Sequence, residues 1–240
     1  MTSELTYDNR TGRPPGPLVR SLGLVWRGVR DVRAQADPYA AVWAAHNREV
    51  IAGTRRRLVV LGDSMAQGVG ASRPEQGWAG QLHHRLVTSG HDLDLLNLSA
   101  TGARVPDVLD QQLPVLEAFG GPDPLALVLI GSNDLFGRRQ HRDALPAAMA
   151  ELVRRLPDGS IVATLPQPRG AAQEANTFIE AAAAAGRLHT VDLRSTGPDS
   201  WKGMLAADFF HPNDRGYAAL ADAFEPVVRR VLARSGDTRA

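Results

Sequence analysis

From residue 57 onward the chain alternates between short apolar runs and segments with a helical period. This alternation limits the folds open to it more than any other feature. The runs are "RLVVLGD" (57–63), "LDLLNLSA" (93–100), "PLALVLIGSND" (124–134), "SIVATLPQP" (160–168) and "LHTVDLR" (188–194). Several are apolar without the in–out alternation of a half-exposed strand. Strands of that kind are buried on both faces, as in a parallel sheet covered by its crossover helices. Helical segments fall between and after them at 76–90, 105–121, 142–159, 171–187 and 211–234, with Pro114 expected to kink the second. The expectation is an α/β fold with a five-stranded parallel sheet. A length of 240 residues suits one such domain with an extension.

Upstream of residue 56 the pattern changes. Residues 1–17 hold Pro14, Pro15 and Pro17 with Gly12 and Gly16, and are expected to be a flexible tail. Residues 18–55 are expected to be a helical extension. Leu18, Leu22, Val25, Val29 and Val32 recur at helical spacing, with Arg20, Arg27, Arg30 and Arg33 on the other face. A second helix is expected from Asp37-Pro38 to about Ala52, with Ala40, Ala41, Trp43 and Ala44 apolar. Such stripes must be buried somewhere. Packing on the domain, residues 56–240, is the favoured outcome, and contact of the basic helix with a membrane surface the less favoured one.

Composition removes several function classes. There is no cysteine, so disulfides, thiolate metal sites and a cysteine nucleophile are excluded. The net charge of +1 gives no global field to attract nucleic acid. The histidines lack paired metal-ligand spacing such as H-E-x-x-H, so neither metal nor cofactor is expected. No signal peptide is visible, and no stretch approaches the roughly 18 apolar residues of a membrane span. The expected location is cytoplasmic.

In open parallel sheets, ligands bind beyond the carboxyl ends of the strands. The loops at those ends hold Gly62-Asp63-Ser64, then Asn97, Ser99 and Gly102 in "NLSATGA", then Asn133 in "GSND", and finally Asp208 and His211 in "DFFHPND". Together they offer a hydroxyl, an imidazole with a nearby carboxylate, and donors for a developing oxyanion. Those are the parts of acyl transfer. Each also has a plain structural reading. Ser64, Asn133 or Asp134 can cap a helix, Gly102 can permit a turn, and His211-Pro212 can open the last helix. Their joint appearance along one edge of one sheet favours catalysis.

In these blocks the sequence resembles the SGNH hydrolases, also called GDSL-type esterases and lipases. The resemblance runs from residue 58 to about 225, and Met65 stands where the family name expects leucine. It implies a three-layer flavodoxin-like fold and small acyl-ester substrates. It also implies a set of roles: Ser64 as nucleophile, His211 as base and Asp208 as orienting acid. The oxyanion hole would be the Ser64 and Gly102 N–H groups with the Asn133 amide. The same residues would serve acyl transfer to an acceptor other than water, or remain in a binding module that lost turnover. Two competing fingerprints are absent: G-x-G-x-x-G is incomplete at Gly68 and Gly70, and Ala66 breaks G-x-S-x-G. Trp78 is expected to pack near the site. Leu135, Phe136, Phe209 and Phe210 are read as core sooner than pocket lining.

Overall fold

The structure, a computed structural model, describes residues 5–14, 26–167, 169–198 and 200–237. Five parallel strands are present: β1 (Arg56–Gly62), β2 (Leu93–Asn97), β3 (Leu125–Leu129), β4 (Ile161–Ala163) and β5 (His189–Val191). Their order is β2-β1-β3-β4-β5. The chain therefore leaves β1 for one side of the sheet and returns to its other side. That reversal opens a crevice at the carboxyl ends of β1 and β3.

The apolar runs lack alternation because both faces are covered. From β1, Val59 and Leu61 enter one core with Met149, Leu152 and Ile179. Leu58 and Val60 enter the other with Trp78, Leu82 and Phe224. The helices Arg139–Arg155 and Ala171–Ala184 lie over the first face, and Trp78–Thr88 and Asp214–Asp237 over the second. The strands end earlier than the apolar runs do. Residues 98–100, 130–134 and 164–167 leave the sheet as loops or short turns. The 105–121 segment is continuous, and the expected kink takes the form of a π turn over Val108–Gln112 just before Pro114. There the Leu113 N–H reaches back five residues to the Val108 carbonyl.

The N-terminal portion departs from expectation. Residues 5–14 do not behave as a flexible tail: Leu5 and Asn9 are buried, and Arg10 forms a parallel bridge with Thr101. The prolines and glycines suggested a tail, but long-range hydrogen bonds hold the segment down. Leu18, Leu22 and Val25 of the expected stripe, and Arg20 of its basic face, lie outside the described residues. What is described is a helix Arg27–Arg33 with Val32 buried, then a helix Ala36–Ala52 burying Tyr39, Ala40, Trp43, Ala44, Asn47 and Val50. The second helix covers the free edge of β2. Asn47 pairs with both backbone groups of Asn97, at 2.7 and 3.0 Å, and His46 Nε2 lies 2.9 Å from the Leu95 carbonyl. An exposed strand edge is an aggregation hazard, and here helix side chains occupy it.

Candidate active site

β1 delivers Asp63 and Ser64 to the crevice. The helix cap at this point is Asp63, not Ser64: Asp63 Oδ1 accepts the Met65 N–H at 3.0 Å, opening the short helix Ser64–Gln67. That leaves the Ser64 hydroxyl available at the strand tip, where the positive end of the helix backbone faces it.

His211 meets Ser64 from a loop 147 residues away in sequence. Its Nε2 lies 2.9 Å from Ser64 Oγ, and its Nδ1 lies 2.6 Å from Asp208 Oδ2. The loop is wound tightly around Asp208. Its second oxygen accepts the backbone N–H groups of Phe210 at 3.1 Å and His211 at 3.0 Å, while Phe209 takes a left-handed φ of 55°. Burial would raise the Asp208 carboxyl. The hydrogen bond and charge of His211, with the two backbone donors, outweigh it and hold the group below the usual carboxylate range. Gly70 lets the loop come close, since a Cβ there would run into His211 Cβ and the Pro212 carbonyl.

Gly102 lies in the loop after β2 and Asn133 just after β3. Gly102 has φ 79°, a conformation that favours glycine. Among the described residues the backbone N–H groups of Ser64 and Gly102 make no hydrogen bond. The Asn133 amide is engaged, donating to the Ala103 carbonyl at 2.9 Å and to Asp63 Oδ2 at 3.2 Å. The buried Asp63 thus ties the serine loop to the asparagine loop; Ser132 Oγ donates to the same oxygen at 2.5 Å. Burial pushes the Asp63 carboxyl up, against the pull of its bonds from Ser132 and Met65. Asp134 is also buried; burial lifts its carboxyl to about 7, against the Val105 N–H it accepts and the nearby Arg104.

Not every candidate reaches the site. Asn97 and Ser99 are fully buried and wired into backbone groups below it. Trp78 is core, stacked on Phe224 at 4.2 Å. Leu135 is core as expected, whereas Phe136, Phe209 and Phe210 are not: they are exposed by 65%, 65% and 42%. Phe210 stands edge-on between Phe136, at 5.7 Å, and His211, at 5.0 Å. Trp26 lies 5.3 Å from Phe209. An aromatic rim therefore borders the histidine.

Sequence reading missed Ser132 as a partner of Asp63. It also missed Gln112, whose amide clamps both backbone groups of Gly62 at 2.8 Å. Neither carries a local signal, because each matters only through a residue distant in the chain.

The GDSL-like Lipase/Acylhydrolase family matches residues 60–219, more than half of the chain. The chain belongs to that family and is a hydrolase of ester bonds. A comparison with curated proteins gives no match. Among solved structures, TesA is similar with a TM-score of 0.57 and 24% identity, over 73% of this chain and 99% of that one. The psychrotrophic esterase EstA from Pseudoalteromonas sp. gives 0.55 and 17%, over 74% and 99%. A Clostridium thermocellum family 3 carbohydrate esterase gives 0.58 and 19%, over 74% and 97%. These likenesses are of fold. Among the described residues no helix is long and apolar enough to cross a membrane.

Proposed function

We propose that the protein is a serine esterase that hydrolyses acyl esters through an acyl-enzyme. The observation that carries the reading is the unbroken relay from Asp208 through His211 to Ser64, at 2.6 and 2.9 Å. Asp208 accepts the Nδ1–H, which leaves Nε2 basic. Ser64 Oγ attacks the ester carbonyl as its proton passes to Nε2. The tetrahedral oxyanion then collapses, and the alcohol departs with that proton. A water repeats the sequence on the acyl-enzyme and frees the acid.

The oxyanion hole in this proposal is formed by the Ser64 and Gly102 N–H groups with the Asn133 amide. Among the described residues neither backbone N–H has a hydrogen-bond partner, which supports their assignment as oxyanion donors. Asn133 would turn one N–H from Asp63, the longer of its two bonds; Asp63 keeps its bonds from Ser132 and Met65. We assign residues 56–240 to the hydrolase domain and 18–55 to an extension, of which the described helices Arg27–Arg33 and Ala36–Ala52 pack on the domain.

The substrate we favour has an apolar group, because Phe136 and Phe210 offer exposed aromatic faces beside His211. A fluorophosphonate probe should label Ser64 of the native protein and leave Ser64→Ala unlabelled. A p-nitrophenyl ester panel from acetyl to dodecanoyl should then show turnover that rises with apolar length. Probe without label would reduce the protein to a binding module, and label without hydrolysis would point to an acceptor other than water.

A further inference from the structure

Tyr7, Asn9, Thr11 and Arg13 share one property: each side chain donates to a backbone carbonyl of the loop that carries Gly102. Tyr7 Oη donates to Leu98 at 2.7 Å. Asn9 Nδ2 donates to Asn97 at 2.7 Å and Ser99 at 2.9 Å. Thr11 Oγ1 donates to Thr101 at 3.4 Å, and Arg13 Nη2 to Gly102 at 3.1 Å. The donors are odd-numbered, although the backbone turns through positive φ at Asn9 (60°) and Gly12 (67°). Arg13 is itself fixed by a two-pronged bridge to Asp107, whose carboxylate also accepts the Arg104 backbone N–H at 2.7 Å. The guanidinium therefore spans the loop from Gly102 to Asp107. All four donors lie outside the family's matched region, which starts at residue 60.

We propose that residues 7–13 are a positioning strap for the oxyanion hole, with Arg13 its principal residue. The inference rests on the reading of the Gly102 N–H as an oxyanion donor. That N–H belongs to the peptide whose carbonyl is Thr101. Without a Cβ, the peptides on either side of a glycine turn over readily, and a turned peptide would present a carbonyl where the oxyanion needs a donor. Thr11 holds the carbonyl before Gly102 and Arg13 holds the one after it. With both fixed, the N–H keeps one direction. A donor pre-aimed at the developing charge needs no reorganisation during reaction.

The test uses the full-length chain and p-nitrophenyl butyrate. Arg13→Ala should lower kcat about 10-fold, part of the 10²–10³ that follows loss of a whole donor, with KM within about twofold. Millimolar guanidinium should restore several-fold of the activity of Arg13→Ala and none of that lost in Asn133→Ala. Arg13→Lys, which reaches only one of the two acceptors, should fall between. Should Arg13→Ala fail to fold, Thr11→Val removes a single hydroxyl and should also lower kcat at constant KM. Unchanged kcat in a folded Arg13→Ala protein overturns the strap, as does a rise in KM alone or a loss that guanidinium does not repair. Asn133→Ala separates the two failures. If it keeps full kcat, the oxyanion reading is wrong; if it loses kcat while Arg13→Ala does not, only the strap is wrong.

Discussion

The two sides of Ser64 are held in place by different means. On the relay side, Asp208 and His211 sit three residues apart, and the hydrogen bonds that shape their loop stay within it. On the side proposed to hold the oxyanion, the Gly102 loop accepts hydrogen bonds from residues 7–13, about ninety positions upstream. A local motif carries its own geometry and can be read as a motif. A loop held from afar can be read only as a glycine in a turn. The same contrast applies to Asn133, whose anchor Asp63 arrives from another strand end.

The largest effect should come from the atom both sides share. Ser64→Ala should reduce turnover by about 10⁶, as loss of a serine nucleophile does elsewhere, measured against p-nitrophenyl butyrate with the fold checked by circular dichroism. Activity near the native level in a clean preparation would remove the comparison altogether. Next comes the relay side alone. Asp208→Asn keeps the shape but no longer fixes the Nδ1–H tautomer, and should cost about 10⁴ in kcat. A loss of tenfold or less would mean that the loop's backbone bonds orient His211 without the carboxylate.

The oxyanion side should respond less. Asn133→Ala should lower kcat by about 10² to 10³ with little change in KM. An effect confined to KM would assign Asn133 to ground-state binding, and the two sides would then differ in function as well as in support.

The smallest predicted effect is on stability and depends on pH. Burial lifts the Asp134 carboxyl to about 7 in the folded chain. A raised acid favours the neutral form, so its penalty is absent below the unfolded value near 4, grows as pH rises, and is complete above about 7. Asp134→Asn keeps an acceptor for the Val105 N–H. It should stabilise the protein by about 2–4 kcal/mol at pH 8 and by little at pH 4, read as a difference in denaturant midpoints. An equal gain at both pH values would show that packing, not charge burial, limits this loop.

Much of the fold was legible because it rests on local chemistry. Unalternating runs such as "RLVVLG" imply two covered faces, and Val59 and Leu58 do point to opposite cores. Ser64 and Asn133 could be picked out because each sits in a short block just past a strand, and Asp208 and His211 because they share one short block ahead of the last helix. The strap was not legible. Gly12 and the prolines that follow the strap indicate a tail, and the series Tyr7, Asn9, Thr11 and Arg13 has no aliphatic member to mark an inner face. Phe136, Phe209 and Phe210 were read as core because large aromatics usually are; their exposure depends on the loops around them.

The sequence by itself determined the sheet, its coverage and the residue types at its carboxyl edge, since periodicity and strand-end position act within a few residues. The tertiary structure alone decided which donors stand free and which are engaged. The N–H of Gly102, unpaired among the described residues, the engaged amide of Asn133 and the burial that raises Asp63 and Asp134 all depend on distant parts of the chain. A hydrogen bond about ninety residues long leaves no period in the sequence, because its two ends share space and not spacing.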